Sequence, residues 1–126
     1  MKLNQYQLIR IPLYFLLMNI VELAQQIAAT YEKHGWALRR VLVRPLAEPE
    51  RQQLAQTFPE SALINSEVDA LWFARPSHGG REAWELRLIA EQPYALFETF
   101  EADENEEDRE DLRREMEKQM RDYAGA

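Results

Sequence analysis

The sequence predicts an α+β fold, an antiparallel sheet of about four strands packed by three helices. Three observations carry this prediction: a helix with signals at both ends over 19–35, two alternating segments on either side of Gly79-Gly80, and an amphipathic charged stretch closing the chain.

The first helix is written most completely. Asn19 stands as N-cap with Glu22 three residues on as its reciprocal partner, and Met18 can pack on Leu23 across the start. Ile20, Leu23, Ile27 and Tyr31 recur on one face, and Gly35 supplies the stop. This helix needs nothing upstream. The segment before Met18, MKLNQYQLIRIPLYFLL, has no Ala, Glu, Asp or Gly, whereas Ala, Glu and Arg dominate the rest of the chain. The expected organisation is therefore an apolar extension over 1–17 and a single domain over 18–126. The extension has three readings: a non-native segment outside the fold, a targeting segment, or a helix entered at Pro12 and packed on the domain or a partner. The apolar run 11–21 behind Lys2 and Arg10 imitates a signal peptide. Asn19 interrupts it, however, and cleavage near Ala28 or Ala29 would destroy the best helix in the chain. It is also well short of the roughly 20 apolar residues that span a bilayer.

A first strand is expected over 36–44, with Leu38, Arg40, Leu42 and Arg44 on one parity and Ala37, Val41 and Val43 on the other, ended by Pro45. Glu48, Pro49 and Glu50 open a short middle helix that buries Leu54 and Phe58 before Pro59. The connection 61–66 has room for a short strand at 62–64. Strands over 68–75 and 81–89 flank Ser77-His78-Gly79-Gly80, and a Gly-Gly pair suits a tight primed turn. A turn centred on the two glycines sets Arg75 opposite Trp84, Phe73 opposite Leu86 and Leu71 opposite Leu88. Those residues form an apolar face, which puts Trp72 opposite Arg87 and Ala74 opposite Glu85 on the other. A last strand over 94–101 has aromatics on both parities, Tyr94 and Phe100 against Phe97. The closing helix, from about Glu104 to Tyr123, carries a narrow stripe of Leu112, Met116, Met120 and Tyr123, with acids first and Arg113, Arg114, Lys118 and Arg121 later.

Composition bounds function. The chain has 126 residues, 46% hydrophobic and 29% charged, which is ordinary for one globular domain. The absence of cysteine removes disulfides, thiolate metal sites and thiol nucleophiles, and fits a reducing, cytoplasmic setting. A formal charge of -7 argues against nucleic acid and anionic membrane as partners. The charge is uneven: nine acids against Arg109 alone over 98–111, and five basic residues against two acidic over 33–51.

Each candidate for chemistry has a plainer reading. Asp103, Asn105 and Glu107 begin like a calcium loop, but Asp108 stands where the glycine belongs and Arg114 where the closing glutamate belongs. His78 beside Ser77 lacks the rest of an esterase signature and sits in a turn. Glu85 and Glu98, on neighbouring strands, are the best pair of carboxylates for acid–base work, though no third group accompanies them. No metal, cofactor or small-molecule site is inferred. The leading expectation is a non-enzymatic protein-binding or adaptor module, or a homodimer, meeting its partner through an aromatic sheet face of Trp72, Arg87, Ile89, Tyr94 and Phe97. The alternatives are an acidic inhibitor or immunity-type protein presenting Glu104, Glu106, Glu107, Asp108 and Asp111, and a small carboxylate-dependent enzyme.

Overall fold

Five strands, not four, make one sheet in the order β2-β1-β3-β4-β5. This computed structural model describes residues 19–90 and 92–125. The extension 1–17 and the Met18–Leu23 staple lie outside the described residues. The elements are α1 (Ile20–Glu32), β1 (Ala37–Val43), α2 (Glu48–Thr57), β2 (Ala62–Asn65), β3 (Ala70–Pro76), β4 (Glu82–Leu88), β5 (Ala95–Phe100) and α3 (Glu106–Gly125). The class is the predicted α+β. The added strand, β2, runs parallel to β1, which requires the crossover that α2 supplies. The other three pairings are antiparallel.

Local signals place the helix ends. The Glu22 amide donates to Asn19 Oδ1 at 2.9 Å, so the predicted N-cap forms. At the other end Gly35 takes φ 83°, and the Trp36 amide returns to the Tyr31 carbonyl at 3.2 Å. Asn105, rather than Glu104, stands before α3 and accepts from the Asp108 amide at 2.8 Å.

The hairpin register differs from the expected one by a residue. Ala74 pairs with Trp84, Trp72 with Leu86, Ala70 with Leu88, and Phe73 with Glu85. The cause lies in the turn. Pro76 and Glu82 are the last pair, and residues 77–81 form a one-turn coil in which Gly79 and Gly80 have φ 66° and 75°. Both glycines do take the positive backbone angles, but in a connection of odd length. Because strand side chains alternate with period two, one residue of slip exchanges the faces of β3 against β4.

Each face of the sheet carries its own core. On one side α1 and α2 cover Val41, Val43, Leu71 and Phe73 with Val21, Ala24, Ile27, Tyr31 and Leu54. On the other, α3 brings Met116 and Met120 onto Leu42, Trp72, Trp84, Leu86, Leu96 and Phe100. The sequence suggests helices on one face only, with Leu71, Phe73, Trp84, Leu86 and Leu88 as their floor. Instead the helices are divided between the faces, and Trp84, Leu86 and Leu88 belong to the α3 side. A bulge between Leu38 and Arg40 similarly turns Leu38 toward Val41 and Val43, leaving Arg40 on the α3 side.

Candidate functional site

Three places gather polar chemistry, and each is built from the residues that close a layer of the fold. The first lies beneath α3. Its apolar stripe is narrow, and cations fill in beside it. Arg113 is buried, its Cζ 4.4 Å from the Trp84 ring centroid and 5.5 Å from that of Phe100. Its Nε and Nη2 hold Glu110 at 3.0 and 2.8 Å, and Nη2 also contacts Glu106. Arg40 arrives from β1, gripping Glu110 through Nη1 and Nη2 at 3.1 and 2.9 Å and lying 5.5 Å from the Trp84 ring. The Trp84 indole donates to Glu82 at 2.5 Å and that of Trp72 to Glu117 at 2.8 Å. Hydrogen bonds from Arg40, joined by those from Arg113, hold the Glu110 carboxyl down at about 2, against the opposing effect of partial burial. This network fastens helix to sheet.

The second place lies under α1. Tyr31 stacks on Phe73 with ring centroids 4.0 Å apart, and its hydroxyl donates to Glu85, which is fully buried. Burial pushes the Tyr31 hydroxyl pKa up, and the neighbouring Glu85 charge and hydrogen bond add to the rise, while Arg87 opposes it. The phenol is thus held protonated as a donor. Arg87 is buried too and donates from Nε to the Leu88 carbonyl at 3.1 Å.

The third is an open cleft of about 470 Å³ between the α1–β1 turn and the 77–81 loop, lined by Trp36, Arg75, His78, Phe97 and Thr99 among others. Arg75 Cζ lies 4.5 Å from the Trp36 ring centroid, and its Nη1 donates to the His34 carbonyl at 2.9 Å.

The chain matches no family model, no curated protein and no solved structure. Geometry alone therefore bears on function.

The five residues expected to share an aromatic binding face do not share one. Trp72 is fully buried under α3. Arg87 is buried on the α1 side, where Ile89 packs as a half-buried residue. Tyr94 belongs to the α3 side and stacks on Tyr123 at 3.6 Å, and Phe97, opposite Glu85, faces the α1 side. The physical reason is again the register: Trp72 shares its face with Leu86, leaving Arg87 opposite Leu71. A different register, that of β4 against β5, separates the two carboxylates. Glu85 is opposite Phe97 while Glu98 is opposite Trp84, so they point to opposite faces and cannot form an acid–base pair.

The acidic segment is divided by α3 itself. Glu106 and Glu110 point to Arg113 and Arg40, and Asp111 pairs locally with Arg114 at 2.6 Å. Glu104 accepts from the Glu101 amide at 2.9 Å and Asp108 from the Asn105 amide group at 3.1 Å. Glu107 is exposed, as are Asp103 and Glu115, and none of the three makes an ion pair among the described residues. Within those residues no group of three His, Asp or Glu is placed to hold a metal ion. No described helix is long and apolar enough to cross a membrane. Sequence reasoning passes over Arg113 and Tyr31 as polar actors. Arg113 lies one residue from the Leu112 stripe position, a sign that it could face inward.

Proposed function

We propose that the protein is a non-enzymatic protein-binding module whose contact surface is the outer, acidic side of α3 with its lead-in loop, and whose partner is basic at the point of contact. The observation that carries this reading is the unequal treatment of the acids. The half-buried Glu110 is met by Arg40 and Arg113, and the exposed Glu106 reaches in to Arg113. Asp103, Glu107 and Glu115 on the outer side face solvent with no cation drawn from elsewhere in the described residues. A 20-residue helix locked to the sheet presents these charges in fixed geometry, which lowers the ordering cost of a contact. Charge of one sign on one face steers encounter with the opposite sign. The covering of Trp72 by α3 favours this surface over an aromatic sheet face.

The test is paired affinity capture with the wild-type protein and an Asp103→Lys, Glu107→Lys, Glu115→Lys variant of matched far-UV dichroism, followed by reconstitution with the purified partner. The reading expects a directly binding partner that is lost in the variant and weakened by salt. A partner held equally by both proteins, or a protein that stays monomeric and partnerless at low salt, would overturn it.

A further inference from the structure

We infer that the cleft beside Arg75 is a binding site for a small aromatic carboxylate, with the guanidinium clamping the carboxylate and Phe97 providing the apolar wall. Three features point there. The first is the state of Arg75. Its Nη1 is committed to the His34 carbonyl and its flat face to Trp36, so the side chain is fixed in place before any ligand arrives. Its Nε–Nη2 edge, the fork that matches a carboxylate in two parallel hydrogen bonds, makes no hydrogen bond among the described residues.

The second is the use this chain makes of the same fork elsewhere. Arg44 closes Nε and Nη2 on Asp69 Oδ2 at 3.2 and 3.0 Å, and Arg113 closes the same atoms on Glu110 Oε2 at 3.0 and 2.8 Å, each edge converging on one carboxylate oxygen. Arg75 is half-buried like Arg40, yet no carboxylate is among the residues lining its cleft. In a chain with 22 acidic residues, a guanidinium that forms no ion pair among the described residues stands ready for an anion supplied from outside.

The third is the rest of the lining. Phe97 and Ala83 add apolar surface to the lining, while Ser77, Thr99 and His78 add hydrogen-bonding groups. A cleft of about 470 Å³ falls within the range that holds small molecules. One permanent cation in a protein of net charge -7 suits a monoanion better than a phosphate dianion, and the adjoining phenyl ring suits a flat apolar body.

The site is tested by nitrogen–proton correlation spectra of the full chain titrated with benzoate, with its neutral isostere benzamide, and with phenyl phosphate. Benzoate is expected to give saturable shifts, in roughly the millimolar range, at Gly35, Ser77, Phe97 and Thr99 and not along α3. Benzamide should give none, and phenyl phosphate should bind more weakly than benzoate. Arg75→Gln should weaken benzoate about tenfold or more, the loss of a charge-assisted fork, with Arg75→Lys between the two. Phe97→Ala, which leaves Arg75 and its anchors in place, should also weaken it. Equal binding of benzoate by wild type and Arg75→Gln would overturn the site. So would benzamide binding as well as benzoate, tighter binding of phenyl phosphate, shifts that never saturate, or shifts centred elsewhere. Should Arg75→Gln unfold, the benzamide arm and Phe97→Ala decide the question alone.

Discussion

The two faces of the sheet are closed by different chemistry. Under α1 the layer is mainly apolar, with Val, Ile, Leu and stacked aromatic side chains, a buried carboxylate held by a phenol, and the buried Arg87 on the same side. Under α3 two methionines and a few aliphatics are not wide enough for the surface, and Arg40 and Arg113 complete it by lying over Trp84. A helix as polar as α3 can therefore still close a sheet. Its long cationic side chains bury their stems and flat heads on aromatic rings while inward acids neutralise them.

The largest expected effect falls on the α3 face. Trp72 is fully buried, so Trp72→Ala should cost about 3 to 5 kcal/mol in urea melts. Trp84→Ala should cost distinctly less, because its ring retains 9% exposure and guanidinium groups cover part of it. Arg113→Ala should follow at about 2 to 3 kcal/mol, from lost contact with the rings and with Glu106 and Glu110. Arg113→Met, which restores apolar volume, should recover part of that. On the α1 face Tyr31→Phe should cost about 1 to 3 kcal/mol, since it keeps the stack on Phe73 and removes only the donor to buried Glu85.

Acid separates the faces more gently. The Glu110 carboxyl is lowered from an ordinary 4.5 to about 2 in the folded protein, so the unfolded chain takes up the proton first as pH falls. The stability it contributes is complete above pH 4.5 and is lost as pH falls through about 2. Melts between those values should show a shallower loss in Glu110→Gln than in wild type.

Helix ends, class and most strand limits were legible because each depends on local chemistry: Asn19 before a periodic face, Gly35 after it, Pro45 and Pro59 as breaks. The face assignment was not. It depends on whether the connection after Pro76 holds an even or odd number of residues, and Gly79-Gly80 satisfies positive φ in either case. From that one residue came the mistaken placing of Trp72 opposite Arg87, whereas Glu85 and Glu98 are separated by the register of β4 against β5. The bulge at Arg39 had the same effect on a smaller scale, turning Leu38 away from Arg40 and Leu42. The division of the acidic segment into inward and outward acids was equally hidden, because it requires knowing that Arg40 on β1 lies under α3. Arg75 was invisible as a site residue, since nothing in the chain near it marks which cations the fold leaves without a carboxylate.

The register that sets Trp72 beneath α3 is the claim on which the division of the faces rests, and the proton environment of the Trp72 indole N–H tests it most directly. Nuclear Overhauser contacts from that proton to the Glu117 side chain, together with contacts between the Trp72 and Trp84 rings, whose centroids lie 5.8 Å apart, are the predicted result. Contacts instead to Arg87 and Ile89, with rapid exchange of the indole proton with water, would contradict it.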